Sequence, residues 1–315
     1  MAKFVITGGG GFIGSNLVEA LLRRGEEAVA LDDFSTGRRS NLDRAEEWGA
    51  AGGGSYTLVE GDIRDEAAVR RAMDGADYVL HQAAIPSVQR SVQDPLLTND
   101  VNVRGTLVLL EEARRVGVRR FVFASSSSLY GESETLPKVE TMAPAPISPY
   151  GLQKLTGETY CLLYNRLYGL QTIAFRYFNV FGPRQDPGSD YSAVVPLFIA
   201  AGQAGRRATV YGDGLQSRDF TYVDNVVQAN LLACQAPAEA CGLAYNIACG
   251  ERITLNDLLL RIGEIMGREI PADHVDPRPG DIRHSLAGID LAVSRLGYSP
   301  VADLADGLRR TVEAA

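Results

Sequence analysis

The chain has 315 residues, 45% of them apolar, enough for one large or two moderate domains with a full core. Its formal charge of −8 argues against a nucleic-acid partner, which wants a basic face, and no stretch approaches the roughly 18 apolar residues of a membrane span. Cys161, Cys234, Cys241 and Cys249 lack C-x-x-C spacing and His81, His274 and His284 are scattered, so reduced thiols, a cytoplasmic location and no metal site are expected.

Phe4–Ile6 reads as a short apolar strand, entered without a leader pattern, and Ser15–Leu22 as a helix. Between them runs Thr7–Gly14, TGGGGFIG. Strand, glycine turn and helix form the context of a dinucleotide site. Gly8 allows the tight turn, Gly11 lets backbone approach a pyrophosphate, and Gly14 lets helix pack close to strand. The helix N-terminus then faces the phosphates. The spacing is G-x-x-G-x-x-G, and alone it is weak evidence. Ala28–Leu31 reads as a second strand ending in Asp32-Asp33. A carboxylate about 20 residues past the glycines accepts hydrogen bonds from ribose hydroxyls and repels a 2′-phosphate. This favours NAD over NADP, although Arg38 and Arg39 keep NADP as an alternative; the plainer reading is that the aspartates start a turn.

Gly52–Gly54 reads as a loose surface loop. Strands follow at Tyr56–Val59, Tyr78–Leu80, Arg120–Ala124 and Gln171–Tyr177, with helices over Glu66–Met73, Leu97–Val116 and Tyr150–Tyr168. That alternation predicts an α/β fold, a doubly wound parallel sheet of the Rossmann kind over residues 1–178. After Asn179 turn-rich segments such as Gly182–Ser189 and Tyr211–Gly214 take over. They predict a smaller mixed C-terminal substrate lobe over 179–315, with a helix at Asn225–Cys234 (about 222–236) packing back on the sheet. The cleft between the two should hold the substrate.

The strand ending at Ala124 runs into Ser125–Gly131, SSSSLYG, and Tyr150-Gly-Leu-Gln-Lys154 follows. At i and i+4 on a helix, Tyr150 and Lys154 share a face. An ammonium near a phenol favours the phenolate, and so does a positive nicotinamide ring, which makes Tyr150 a candidate general base. A serine at a neighbouring strand end can hydrogen-bond the reacting oxygen. A Tyr/Lys pair is common on ordinary helix surfaces. The glycine turn and the serine-rich strand end are what favour catalysis here.

With these elements the chain resembles the extended short-chain dehydrogenases/reductases that modify nucleotide sugars. TGGGGFIG (7–14), Asp32-Asp33, GDIRD (61–65), HQAA (81–84), NVRGT (102–106), SSSSLYG (125–131), SPYG (148–151) with Lys154, RYFN (176–179), GPR (182–184), SRDFTYVD (217–224) and RPGD (278–281) occur in family order. The resemblance implies that NAD is held by Gly8, Gly11, Phe12, Ile13, Gly14, Asp32, Asp33, Asp62, Ile63, Gln82, Ala83, Ala84, Tyr177, Tyr150 and Lys154. Ser126, Tyr150 and Lys154 are the implied catalytic residues. Substrate contacts fall to Ser126, Ser127, Ser128, Asn179, Val194, Val195, Pro196, Tyr211, Arg218, Arg278 and Ser285, with the two arginines gripping a diphosphate.

The implied activity is C4 epimerisation of a UDP-sugar through a 4-keto intermediate, an isomerase reaction. A 4,6-dehydratase is a rival, but those relatives carry Asp-Glu directly after the catalytic threonine. Here Ser127 and Ser128 follow Ser126, and hydroxyls cannot supply that acid/base pair. UDP-glucuronate epimerisation or decarboxylation is a second alternative, and an NAD-binding regulatory protein a third. Ser285 falls where a bulky tyrosine restricts some relatives to non-acetylated sugars, and Pro86 stands where galactose epimerases often have lysine. The resemblance therefore points to UDP-N-acetylglucosamine/UDP-N-acetylgalactosamine, with UDP-glucose/UDP-galactose beside it. It also implies a homodimer through Leu97–Val116 and Tyr150–Tyr168, where Leu107, Leu110, Leu155 and Leu162 offer an apolar seam that core packing would equally produce.

Overall fold

In the computed structural model, which describes residues 1–186, 188, 193–277 and 282–315, strand and helix alternate as far as Tyr177. The strands are β1 (Lys3–Thr7), β2 (Glu27–Asp32), β3 (Ser55–Glu60), β4 (Tyr78–His81), β5 (Arg120–Ser126) and β6 (Thr172–Tyr177). Between them lie α1 (Phe12–Arg23), α2 (Ala45–Gly52), α3 (Glu66–Met73), α4 (Val88–Gln93), α5 (Pro95–Asn99), α6 (Gly105–Val116) and α7 (Pro149–Tyr168). The remaining strands are β7 (Val180–Phe181), β8 (Ala208–Tyr211), β9 (Ser217–Arg218), β10 (Thr221–Tyr222), β11 (Leu243–Ile247), β12 (Ile253–Thr254) and β13 (Ala272–Val275). The remaining helices are α8 (Val194–Gln203), α9 (Val223–Gln235), α10 (Leu255–Met266), α11 (Asp290–Leu296) and α12 (Leu304–Glu313).

Seven strands form one sheet in the order β11-β6-β5-β4-β1-β2-β3, every neighbouring pair parallel. The chain runs outward from β1 to β3 and then crosses to β4 on the far side of β1. A crevice opens at that switch point, at the carboxyl ends of the strands. Apart from the exposed edge strand β3, the strands are buried on both faces because helices cover both. In β1, Val5 packs among α3, α6 and α7, while Phe4 and Ile6 pack among α1, α2, α9 and α11. A separate core joins α8, α10 and α12 with β8 and β10. The doubly wound α/β expectation holds, and among the described residues no helix is long and apolar enough to cross a membrane.

Two local expectations need correction. The stretch Leu97–Val116 is not one α-helix: α5 ends at Asn99, Asp100–Arg104 forms a π-helical turn, and α6 follows. Gly52–Gly54 is not loose. Gly53 caps α2 in the left-handed region at φ 80°, and a Cβ on Gly54 would lie 2.6 Å from the carbonyls of Leu22 and Glu26, so the run seats α2 against the end of α1. Among the later segments, β11 joins the sheet as one edge strand and α9 packs on the same sheet.

Candidate active site

A cavity of about 690 Å³ fills the crevice. Its first wall is the turn after β1. Gly8 has φ 68°, and a Cβ there would lie 2.8 Å from the Ala83 nitrogen; a Cβ on Gly14 would come within 2.0 Å of the Gly8 carbonyl. Both positions demand glycine. No side chain caps α1, so its first N–H groups are left for a ligand. Gly8, Gly11, Phe12, Ile13 and Gly14 all line the cavity. These features fit a dinucleotide diphosphate.

Farther along the same cavity lie Asp32 and Asp33, with Asp62, Ile63, Gln82, Ala83 and Ala84 beyond them. Asp32 is buried and accepts the N–H groups of Gly10 (2.8 Å) and Phe34 (2.7 Å), so the carboxylate also organises the glycine turn. Burial raises its pKa, against those two bonds. Arg39 is turned away, paired with Glu60 and stacked over the Phe34 ring, and Arg38 pairs with Asp186 at 2.5 Å. Arg39 is thus held away from the cavity, while Arg38 stays on its wall, paired with Asp186. The Gln82 Oε1 is buried without a partner on the cavity wall. Tyr177, also on that wall, receives hydrogen bonds from Asn230 (2.9 Å) and Gln82 (3.4 Å).

The reacting groups meet where β5 and α7 approach. Ser126 ends β5 and its Oγ accepts hydrogen bonds from the Ser128 hydroxyl (2.9 Å) and N–H (3.2 Å). Its own proton is thereby free to turn towards Tyr150, and Ser126 acts to lower the phenol's pKa. Ser148 caps α7, and the Ser91 hydroxyl accepts the Tyr150 N–H at 3.0 Å, so the first turn of α7 is fixed. The Lys154 Nζ donates to the Ala124 carbonyl at 2.8 Å and lies 5.9 Å from the Tyr150 ring centroid. Burial pushes the Tyr150 phenol up to about 12, against the Ser126 bond, and pushes Lys154 down to about 8. In the protein alone the phenol is not activated, because desolvation outweighs the influence of Ser126.

A family model described as the NAD dependent epimerase/dehydratase family matches residues 4–248. The chain belongs to that family. The epimerase/dehydratase fold, an enzyme of isomerase type and NAD as cofactor are all borne out. The chain is 39% identical to the UDP-glucose 4-epimerase of Mycolicibacterium smegmatis over 99% of its own length and 97% of the relative's. A solved UDP-N-acetylglucosamine 4-epimerase from Methanobrevibacter ruminantium, in complex with UDP-N-acetylmuramic acid, aligns with TM-score 0.92 and 37% identity over 99% of this chain and 97% of that one. A UDP-glucose 4-epimerase from Thermotoga maritima with UDP-glucose aligns with TM-score 0.92 and 37% identity, covering 99% and 98%.

Among the residues assigned to substrate, the epimerase/dehydratase brings Ser126, Ser127, Ser128, Asn179, Arg218 and Ser285 to the same cavity. Ser285 is buried, its N–H bonded to the Ser217 carbonyl at 3.0 Å. Asn179, at φ 31°, donates to the Asp219 carbonyl. Val194–Pro196 do not line the wall: Val195 and Pro196 are buried within the second lobe and Ala193 borders the cavity instead. Helical spacing drives those side chains inward. Tyr211 lines a neighbouring cavity of about 590 Å³ with His274 and Arg283. Arg278 lies outside the described residues. Sequence reasoning missed a strap from the second lobe: Asn16 donates to the Pro183 carbonyl, and Arg184 reaches Asn16 (2.6 Å) and Glu19 (2.7 Å) on α1. GPR (182–184) was its signal.

Proposed function

We propose that this epimerase/dehydratase interconverts UDP-N-acetylglucosamine and UDP-N-acetylgalactosamine, and UDP-glucose and UDP-galactose beside them. Tyr150 takes the proton of the sugar 4-hydroxyl while Ser126 holds that oxygen. NAD, which the glycine turn, Asp32 and Lys154 would hold, would supply a reversible hydride acceptor and a positive ring that favours the phenolate. Lys154 keeps its charge beside the phenol. Arg218 and Asn179 hold the diphosphate while the 4-keto sugar turns. Ser127 and Ser128 line the cavity where a dehydratase would need an acid and a base, which supports epimerisation over dehydration.

The observation that carries the sugar preference is the small Ser285 side chain at the cavity wall. Ser285→Tyr tests it. A phenol ring in a packed wall costs about 1–3 kcal/mol, or one to two orders of magnitude in kcat/KM. The loss should fall on UDP-N-acetylglucosamine and largely spare UDP-glucose, which has only a hydroxyl at C2. Equal losses on both sugars, or none, sink the assignment. Parallel incubations with UDP-glucuronate, followed by NMR of the products, separate the glucuronate alternatives.

The homodimer belongs to the same proposal, through different residues from the seam read in the sequence. Leu110 is wholly buried in the core, and Leu107, Leu155 and Leu162 are half-buried. The exposed apolar stripe of α7 is Leu152, Leu163 and Leu167, with Val92 and Leu96 nearby on α4 and α5. Thr156 and Thr159 turn their hydroxyls into α7 itself, which makes the stripe more apolar. The four unpaired cysteines fit the cytoplasmic location in this proposal.

A further inference from the structure

Behind the phosphate cradle lies a run of polar side chains that the chemistry above does not use. Thr7, His81, Asn102, Thr106, Gln153 and Thr98 are each at least nine-tenths buried. Their hydrogen bonds have a forced direction. The Thr106 hydroxyl spends its one proton on the Asn102 carbonyl at 2.7 Å. It must therefore accept at its contact with His81 Nε2 (2.9 Å), so Nε2 carries the hydrogen. His81 Nδ1 is then an acceptor, and the Thr7 hydroxyl, 2.7 Å away, donates to it. The Thr7 oxygen in turn receives the Ala83 N–H at 3.2 Å.

A second set of bonds starts where the first ends. The Asn102 side chain accepts the Ile85 N–H at 2.8 Å and donates to Gln153 Oε1 at 2.9 Å. Gln153 Nε2 donates to Thr98 at 3.0 Å. Gln153 stands beside Lys154 on α7, and Ala83 is the residue against which Gly8 is pressed. The π-helical turn at Asp100–Arg104 tightens this alignment, which residues four apart on a helix already share. Along a plain α-helix each four-residue step overshoots a full turn by about 40°. A wider i→i+5 turn takes up that drift and keeps Thr98, Asn102 and Thr106 on one side.

We propose that His81 is a positioning residue: as the Nε2–H tautomer it directs a buried relay from Ala83 through Thr7 and Thr106 to Asn102, which fixes the cofactor cradle relative to the catalytic helix. The inference rests on the cavity holding NAD, and not on which sugar is turned over. The surroundings keep the ring neutral. Phe121 and Phe123 pack on it at centroid distances of 5.9 and 5.5 Å. Burial, with the Lys154 charge adding, holds its pKa well below the ordinary value. A protonated ring would present an N–H at Nδ1 and leave the Thr7 hydroxyl proton without its acceptor.

Two measurements test the relay. In wild-type protein labelled with 15N-histidine, long-range proton–nitrogen correlation should show one ring of the three fixed as Nε2–H and neutral throughout about pH 5.5–8.5. A ring at His81 in the Nδ1–H form, or one titrating near the ordinary value, overturns the proposal. Thr106→Val removes both the acceptor and the donor and keeps the shape. It should weaken NAD about tenfold or more and lower kcat, with KM for the UDP-sugar within about twofold. Thr106→Ser should restore NAD affinity to within about threefold. A valine variant that binds NAD and turns over like wild type overturns the positioning role. Should that variant fail to fold, the wild-type tautomer and the serine variant still decide: a serine variant that binds NAD tenfold more weakly overturns the role.

Discussion

Removing the Tyr150 hydroxyl takes away one oxygen and nothing else from a half-buried side chain whose backbone is already held by Ser91. Tyr150→Phe should abolish epimerisation while NAD affinity and thermal stability stay close to wild type. Substantial turnover in the purified variant would assign the proton to another group. Lys154 carries a pH signature of its own. Burial lowers it to about 8 from the usual 10.5. Between those values the unfolded chain binds more protons than the folded one, so this group's contribution to stability rises with pH across the window. Its penalty is fully present below about pH 8. Lys154→Met removes the penalty. The Tm of the cofactor-free variant minus that of wild type should therefore fall between about pH 7.5 and 10 in paired melts. A difference that grows with pH would contradict the buried, weakly basic lysine.

At the scale of elements, α7 is anchored to the sheet by a buried ion pair. Glu158 accepts from Arg176 on β6 at 2.6 Å and from the Ser125 hydroxyl on β5 at 2.7 Å, and both charged side chains are almost wholly buried. Arg176 also donates to Tyr130, which donates to Asn246 on β11. Glu158→Gln leaves the guanidinium without its counter-charge. Breaking such a pair costs about 3–5 kcal/mol, a drop in Tm on the order of 10 °C. Calorimetry at pH 7 checks it, and a shift within a degree or two would show that the pair is solvated. Most elements of the first half were legible in the sequence, Glu66–Met73 to the residue, because strands buried on both faces and amphipathic helices each leave a regular pattern. The break in Leu97–Val116 was not legible. A π-helical turn keeps helical spacing, and the reason for it lies in Thr98, Asn102 and Thr106, whose partners are distant in sequence.

At the scale of the whole molecule, the glycine turn, Asp32, Ser126, Tyr150 and Lys154 were readable because each sits at a fixed offset from a strand end. The substrate wall was less so. Val195 is core, and Ala193 does the lining, because which side of α8 faces the cavity depends on how the second lobe folds back. The seam read for a dimer includes Leu110, which is core, since apolar residues at helical spacing mark a stripe without saying which stripe meets solvent. Leu152 and Leu163 are 55% and 40% exposed, and Leu96 is 84% exposed. Leu152→Glu with Leu163→Glu should convert a dimer into a monomer in sedimentation velocity with little change in Tm. A wild-type chain that sediments as a monomer refutes the proposal.

The strap that ties Pro183 and Arg184 to α1, and Asp186 to Arg38, places Arg184 and Asp186 on the wall of the cavity. A dinucleotide held in that cavity is expected to exchange more slowly while these contacts persist, and Arg184→Ala should speed its release. Its residence time is then set by the strap as well as by the contacts it makes itself. A redox-neutral isomerase has no use for exchange, because its cofactor ends each cycle as it began. The architecture suits a catalyst that is loaded once and thereafter works independently of the free NAD around it.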